Sequence, residues 1–319
     1  MNPDLLVELD RVQDLFSSMP RTSTIDARRA AYDALFAGFP VDTRVTITPQ
    51  AGRSSGEWYT PVAADPDAVV VWMHGGAYVL GSLRSHRHLV AEVARCANVR
   101  AFALDYRLAP EHPFPAAVDD ALAAYEQLLG DGIDPTRIVL AGDSAGATLA
   151  LATTLGARDR GLPLPAGCWC ISPWVDLEAR GDSISTRAAV DPQIRKETIL
   201  ELASLYLAGE DPRHHFAAPI YGDLRRLPAL LVQVGSYEIL LDDAIRLARR
   251  AGESEVTVEL EIWPYMRHVW HLYWPLVSAA RRAIEHGARF VRQVVDLDEP
   301  GQASAVRAVE ASPSGGGDA

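Results

Sequence analysis

A serine stands at the centre of the most distinctive motif in this chain. Residues 142–146 read Gly-Asp-Ser-Ala-Gly, with a glycine two positions before and two positions after Ser144. An apolar run ending at Ala141 precedes the motif, and an alanine-rich stretch follows it. A sharp turn from a strand into a helix needs glycine at these two positions, because larger side chains would collide with neighbouring backbone. The pattern predicts a nucleophile elbow, in which the Ser144 hydroxyl attacks a carbonyl carbon.

A second glycine-rich motif follows another apolar run. Residues 74–77 read His-Gly-Gly-Ala, directly after the run from Ala68 to Met73. Because glycine has no side chain to block approach, the backbone N–H groups of Gly75 and Gly76 can point at a developing oxyanion. The two motifs together predict acyl transfer.

A nucleophile at Ser144 requires a base and an orienting carboxylate, because a serine hydroxyl attacks poorly near neutral pH. Among nine histidines, His268 and His271 follow a late predicted strand, where the hydrolase order of serine, acid and histidine places the base. The loop after the preceding predicted strand carries three carboxylates, which are those of Glu238, Asp242 and Asp243. The residues alone do not decide which of the two histidines is the base or which of the three carboxylates orients it.

Charge and motif content argue against several other classes of function. The 319 residues include 30 Lys+Arg and 42 Asp+Glu, and the resulting formal charge of −12 disfavours binding to nucleic acid or anionic lipid. Zinc-protease, P-loop and early dinucleotide-binding motifs are missing from the sequence, so we expect no metal and no cofactor.

Two pairs of closely spaced histidines, His86 with His88 and His214 with His215, lack nearby acidic or cysteine ligands. We interpret them as surface or structural residues, with His86 and His88 preceding a helix.

The apolar runs also bear on location. None approaches the roughly 18 residues that a membrane-spanning helix needs, and the first residues show no basic start of a signal peptide. The sequence therefore predicts a cytoplasmic protein without a membrane span.

The elements that must position these residues alternate along the chain. Amphipathic helices within residues 5–16 and 25–36 precede two strands that pair across a turn. Strands and helices then alternate, which predicts an α/β fold with a mostly parallel sheet and helices on both faces. The predicted strands are 41–48, 56–60, 68–73, 99–106, 137–141, 168–172, 229–234 and 256–263, and the later helices are 116–129, 145–158, 197–207, 243–250 and 276–295.

These motifs resemble the hormone-sensitive-lipase-like carboxylesterases of the α/β-hydrolase superfamily. The resemblance extends from about Val69 to Trp270 and includes His-Gly-Gly-Ala at 74–77, Gly-Asp-Ser-Ala-Gly at 142–146 and the very specific stretch Tyr-Arg-Leu-Ala-Pro-Glu-His-Pro-Phe-Pro-Ala at 106–116. It implies an α/β-hydrolase fold with a helical cap over the acyl pocket. It also implies a serine esterase that needs no cofactor and acts on a small-molecule ester, in a family where homodimers are common.

The resemblance also assigns roles to residues. It implies Ser144 as nucleophile, His268 as base, and the N–H groups of Gly75, Gly76 and Ala145 as the oxyanion hole. Glu238 matches the family's acid, which lies three residues after Gly235 in a GxxD pattern, although this chain has glutamate where aspartate is more common. Asp242 then matches a second, structural acid.

The predicted domain organisation follows from the order of the predicted elements and from the family resemblance. We expect N-terminal cap helices at 1–40, a catalytic core at 41–185, an inserted cap segment at 186–209, the rest of the core at 210–296 and a disordered tail at 297–319. The function expected is hydrolysis of short to medium acyl esters through an acyl-enzyme. An amidase or lactonase with the same triad, and a non-catalytic small-molecule receptor on the same fold, are the alternatives.

Overall fold

The computed structural model describes residues 3–20, 22 and 24–297. The tail predicted at 297–319 lies outside these residues except for Leu297. The strands of the described part are, in chain order, β1 (Val45–Gln50), β2 (Gly56–Pro61), β3 (Asp65–Met73), β4 (Val99–Leu104), β5 (Ile138–Asp143), β6 (Gly167–Ile171), β7 (Ala229–Gly235) and β8 (Val258–Trp263). Its helices are α1 (Pro3–Ser17), α2 (Ile25–Phe36), α3 (Leu83–Ala97), α4 (Ala116–Gly130), α5 (Ala145–Asp159), α6 (Ser183–Thr186), α7 (Lys196–Leu207), α8 (Leu241–Glu253) and α9 (Ser278–Val294).

The eight strands form one sheet in the order β1-β2-β4-β3-β5-β6-β7-β8. β2 pairs antiparallel with β1 and with β4, and every other neighbouring pair is parallel. The parallel strands all end at the same edge, so the loops that follow β3, β5, β7 and β8 lie together there. The predicted α/β class with a mostly parallel sheet is confirmed.

Helices cover both faces of this sheet. The side chains of β3 alternate between two apolar layers, with Val69 and Val71 in one and Val70 and Trp72 in the other. The first layer is completed by α4, α5 and α8, and the second by α3 and α9. Burial on both faces explains why the central strands read as continuous apolar runs rather than as alternating ones.

Two local predictions are corrected by the structure. β1 begins at Val45 rather than at residue 41, because the Asp42 carboxylate accepts the N–H of Arg44 at 2.9 Å and holds residues 42–45 in a turn. His86 and His88 lie within α3 and are buried, so they neither precede the helix nor lie on the surface. A capping box between Ser82 and Ser85 starts α3 ahead of both histidines.

The α9 helix packs against the sheet at a position where only glycine fits. A Cβ atom at Gly287 would lie 1.9 Å from the Trp169 ring of β6, whereas a Cβ atom at Gly130, the last residue of α4, would meet nothing within 4 Å. The close approach of α9 to β6 therefore depends on the missing side chain.

We expect Gly287→Ala to lower the free energy of unfolding by about 1–3 kcal/mol, because the added methyl group overpacks the core. Gly130→Ala is the matched control and should leave stability unchanged or raise it by about 0.4–1 kcal/mol through the unfolded state. Urea denaturation of both variants provides the comparison. Equal stability of the two variants would contradict the packing described for α9.

Candidate active site

Ser144 lies in the turn between β5 and α5. Its backbone has φ 54° and ψ −119°, a strained conformation for a residue with a side chain, and its N–H donates to the carbonyl of Ile171 at 2.8 Å. A Cβ atom at Gly142 or at Gly146 would lie 2.4 Å or 1.9 Å from the carbonyl oxygen of Met73. The flanking glycines therefore allow the turn to press against the end of β3, and the predicted steric reason for the motif holds.

The loop after β3 lies beside this turn. β3 and β5 are parallel neighbours, with Met73 opposite Gly142, so residues 74–77 reach the same edge of the sheet as Ser144. In the described part of the chain, the backbone N–H groups of Gly75, Gly76 and Ala145 donate to no other protein group. Three amides at this edge are thus available to a ligand oxygen.

Glu238 and His268 are in direct contact. The Nδ1 atom of His268 lies 2.7 Å from Oε2 of Glu238, whose side chain is fully buried. The other carboxylate oxygen, Oε1, accepts from the Ser172 hydroxyl at 2.8 Å and from the N–H of Gly235 at 2.6 Å. Because an ionised carboxylate only accepts, Nδ1 of His268 carries the proton and Nε2 of the neutral ring is left free to accept one.

The other acidic candidates have different partners. One oxygen of Asp242 accepts the N–H of Ser183 at 2.7 Å. Asp243 accepts the N–H groups of residues 175 and 176 and contacts Arg246 at 3.0 Å. Burial raises the pKa of Asp243 to about 7, and the charge of Arg246 opposes this shift. In the described part of the chain, neither carboxylate has a hydrogen bond or ion pair with His268.

His271 occupies a separate environment. It is completely buried, its Nε2 atom lies 2.9 Å from Oε1 of Gln233, and burial lowers its pKa to about 3. Of the two histidines that the residues alone left open, His268 is the one that contacts a candidate acid.

A cavity of about 850 Å³ opens beside these residues, and Ser144 and His268 both line it. Its wall is largely apolar, with Phe16 from α1, Tyr32 from α2 and Leu202 from α7 among the lining side chains. Polar groups also contribute to the lining, and these are Gln13, Ser17, Thr22, Arg28, Asp143, Gln193, Thr198 and Glu201. The cavity has the size and the mixed wall of a small-molecule site.

Two arginines of α2 fix this helix over the cavity. Arg28 reaches Glu201 of α7 at 2.8 Å, so the two helices are bridged along the cavity wall. Arg29 donates to the carbonyl oxygens of Val79 and Ala109 at 2.8 Å each and pairs with Glu111. The helix is thereby tied to the loop that carries Gly75 and Gly76 and to the 106–116 stretch.

The buried side chain of His86 contacts Asp143, the residue that directly precedes Ser144. Nε2 of His86 is 3.2 Å from Oδ2 of Asp143, and both side chains are 1% exposed. The expectation that His86 lacks a nearby acid is therefore wrong. The two residues are 57 positions apart and on separate elements, so no local sequence pattern signals the contact.

The described residues offer neither a cluster of metal ligands nor a membrane-spanning helix. Residues 3–20, 22 and 24–297 contain no cluster of three or more His, Cys, Asp or Glu side chains suited to a metal ion. Over the same residues, no helix is long and apolar enough to cross a bilayer.

Comparison with known proteins places this geometry in a family. A family model described as the alpha/beta hydrolase fold matches residues 70–272. The chain belongs to this family. An acetyl-hydrolase of Streptomyces hygroscopicus is 45% identical over 292 residues, which cover 89% of this chain and 96% of that protein.

Solved structures agree with the family assignment. An esterase from the bacterial hormone-sensitive lipase family aligns with a TM-score of 0.89 and 42% identity, over 92% of this chain and 99% of that one. The esterase EstE5 soaked with p-nitrophenyl butyrate aligns with a TM-score of 0.87 and 37% identity, over 93% of this chain and 100% of that one. The resemblance to hormone-sensitive-lipase-like carboxylesterases is confirmed, and the chain is a carboxylic ester hydrolase.

Proposed function

We propose that this protein hydrolyses esters of short to medium acyl chains through an acyl-enzyme on Ser144, with His268 as base and Glu238 as orienting acid. One observation carries the proposal. Ser144 and His268 line a single cavity, and Nδ1 of His268 is held 2.7 Å from the fully buried Glu238 carboxylate. These features support a serine nucleophile whose base is oriented by a carboxylate.

The reaction follows from the available protons. Ser144 Oγ bonds to the carbonyl carbon of the ester while its proton moves to Nε2 of His268. When the tetrahedral intermediate collapses, the carbon–oxygen bond to the alcohol breaks and the alcohol leaves with that proton. Water then attacks the acyl-serine, again giving its proton to Nε2, and the acid is released as Ser144 regains its hydrogen.

The three free amides of Gly75, Gly76 and Ala145 form the proposed oxyanion hole. They lie at the edge of the sheet where the ester oxygen becomes negative, and their N–H groups are not already engaged in the described part of the chain. In enzymes of this type one such donor contributes about 2.7–4 kcal/mol to the stability of the transition state.

The substrate range is proposed from the cavity and from a neighbouring structure. A space of about 850 Å³ with a wall of mixed polar and apolar side chains accommodates a compact ester. The EstE5 structure was soaked with p-nitrophenyl butyrate, an ester of a four-carbon acid. An amidase or lactonase would use the same triad, but the relatives named above are an acetyl-hydrolase and esterases, which favours ester hydrolysis.

The predicted cap receives a role in this proposal. Helices α1, α2 and α7 supply Phe16, Tyr32 and Leu202 to the cavity wall, which supports a covering function for residues 1–40 and 186–209. The domain boundaries, the homodimer and the cytoplasmic location remain predictions from the sequence.

Ser144→Ala removes the proposed nucleophile, so both ester turnover and covalent labelling by a fluorophosphonate probe should be lost. The thermal unfolding midpoint should stay close to that of the wild type, because the alanine keeps the Cβ atom. Gel fluorescence of probe-treated protein measures the labelling. Labelling that persists in the variant would place the nucleophile elsewhere.

Glu238→Gln keeps the shape of the acid but removes its charge, so kcat should fall by several orders of magnitude, about 10⁴-fold by analogy with the orienting carboxylate of other triads. Asp242→Asn is the matched control, because its carboxylate holds Ser183 instead of His268. This control should retain kcat within about threefold and lose at most about 1 kcal/mol of stability. Steady-state kinetics with the reverse ranking would transfer the orienting role to Asp242.

The acyl preference is measured with p-nitrophenyl esters of increasing chain length. We expect kcat/KM to be highest within about two to eight carbons and to fall for longer chains, because the cavity has a limited volume of about 850 Å³. Leu202→Ala should move the optimum toward longer chains by enlarging the wall. A preference for long-chain emulsions would contradict the proposed range.

A further inference from the structure

Asp143 places a buried carboxylate next to the proposed oxyanion hole. It directly precedes Ser144, lines the same cavity and is 1% exposed. A Cβ atom at Gly75 would lie 2.2 Å from Oδ2 of Asp143, so the carboxylate is packed against the loop that carries two of the three proposed donors. This contact supports the loop from behind.

The same contact creates an electrostatic difficulty. An ionised carboxylate in a low-dielectric site repels the negative charge that develops on the ester oxygen a few ångströms away. Its second oxygen, Oδ1, is buried and has no hydrogen-bond partner in the described part of the chain. The carboxylate can support the loop without slowing the reaction only if its charge is cancelled.

His86 is positioned to cancel that charge. Its Nε2 atom faces Oδ2 of Asp143 at 3.2 Å, and its Nδ1 atom lies 2.9 Å from the hydroxyl of Ser85. This hydroxyl has one proton and two acceptors within reach, which are Nδ1 and the carbonyl oxygen of Ser82 at 3.0 Å. When the proton goes to the carbonyl, the hydroxyl oxygen accepts from Nδ1–H. Both ring nitrogens then donate, which is the bonding pattern of an imidazolium.

The electrostatic surroundings of Asp143 favour its ionised form. Burial would raise the pKa of the Asp143 carboxyl, but the charge and hydrogen bond of His86, together with the smaller electrostatic effects of His74 and His268, hold that pKa below its ordinary value. Burial, together with the charge of His86, lowers the pKa of the adjacent His74 to about 3, so His74 stays neutral. Among the imidazoles around Asp143, His86 is the one within hydrogen-bond distance of its carboxylate in the described part of the chain.

Hydrogen bonds connect Ser85, the partner of His86, to the α2 helix through Ser82. The Ser82 N–H donates to Ser85 Oγ at 2.9 Å, and the Ser82 hydroxyl donates to Asp33 of α2 at 2.6 Å. The ring of Tyr32, also on α2, stacks on His86 with 6.4 Å between the ring centroids. These contacts fix the imidazole in the orientation that faces Asp143.

We propose that His86 is a positioning residue for ester hydrolysis, whose charge neutralises Asp143 so that this carboxylate can support the Gly75–Gly76 loop without opposing the oxyanion. The inference rests on the proposed function, because the oxyanion role of the loop belongs to that proposal. The two are tested separately when the wild type is first shown to hydrolyse p-nitrophenyl acetate and to react with a fluorophosphonate probe at Ser144.

The test combines single and double variants. His86→Asn keeps a hydrogen-bonding side chain but leaves Asp143 unneutralised, so kcat for p-nitrophenyl acetate should fall at least about 10-fold with little change in KM, as for loss of a transition-state interaction. Asp143→Asn in the same chain removes the uncancelled charge. The double variant should therefore recover at least about fivefold in kcat over His86→Asn, and Asp143→Asn alone should be less impaired than His86→Asn.

His88→Asn is the matched control. His88 is also buried in α3, but its Nε2 atom contacts the carbonyl of Leu272 at 2.8 Å and no carboxylate. We expect its effect on kcat to be smaller than that of His86→Asn and to be unchanged by Asp143→Asn. Probe titration counts the competent sites in every variant, so a loss of folded protein is separated from a loss of rate.

Each outcome decides the proposal. A wild-type kcat in His86→Asn, or a double variant as slow as His86→Asn, would overturn the charge role, because a structural role is not rescued by removing a carboxylate. If His86→Asn fails to fold, the double variant must fold and remain within about tenfold of Asp143→Asn in kcat. In that case, a double variant that is unfolded, or whose kcat is more than about tenfold below that of Asp143→Asn, also overturns the proposal.

Discussion

The contact between the elbow turn and the end of β3 determines the rest of the site. Gly146 approaches the carbonyl oxygen of Met73 so closely that even a methyl group would overlap with it. This backbone contact brings Ser144 and the loop at 74–77 together, although some 70 residues of chain separate them. Because main-chain atoms on rigid elements define the contact, the position of Ser144 relative to the amides of Gly75 and Gly76 does not depend on flexible side chains.

A second group of contacts fixes His268 relative to the ends of the strands that also position Ser144. The Glu238 carboxylate accepts three hydrogen bonds, two of which come from Gly235 at the end of β7 and Ser172 after β6. Ser172 also accepts the N–H of Val269, the residue that follows His268. The imidazole is thus held from its ring and from its backbone by the ends of neighbouring strands. Such doubly supported side chains are suited to a reaction that needs placement within about 0.5 Å.

The sequence predicts much of the fold because short sequence patterns, such as apolar runs and paired glycines, agree with the burial of the residues that carry them. The apolar runs of β3 and β5 and the glycines around Ser144 each have a local physical cause, and these elements are found within a few residues of their predicted bounds. The start of β1 was misplaced because the Asp42 side chain holds a turn that strand patterning does not reveal. The acid at Glu238 was selected by family resemblance, since three neighbouring carboxylates look equivalent until their partners are known.

Contacts between distant elements were the least predictable part. His86 lies in a helix that polar residues obscure in the sequence, and its partner Asp143 is on a strand end 57 residues later. Spacing carries information about neighbours on one element, but a buried polar contact between elements depends on the packing of the whole fold. The same holds for the bridge between Arg28 and Glu201, which joins helices far apart in the chain.

The origin of the cavity wall has a consequence for how such a protein can diversify. Phe16, Tyr32 and Leu202 come from α1, α2 and α7, whereas Ser144, Glu238 and His268 follow strands of the sheet. Substitutions in those three helices can reshape the space above the serine while the strand ends keep their geometry. Selection can therefore act on substrate choice and on chemistry through separate stretches of the gene, which allows one catalytic core to serve many different esters over evolutionary time.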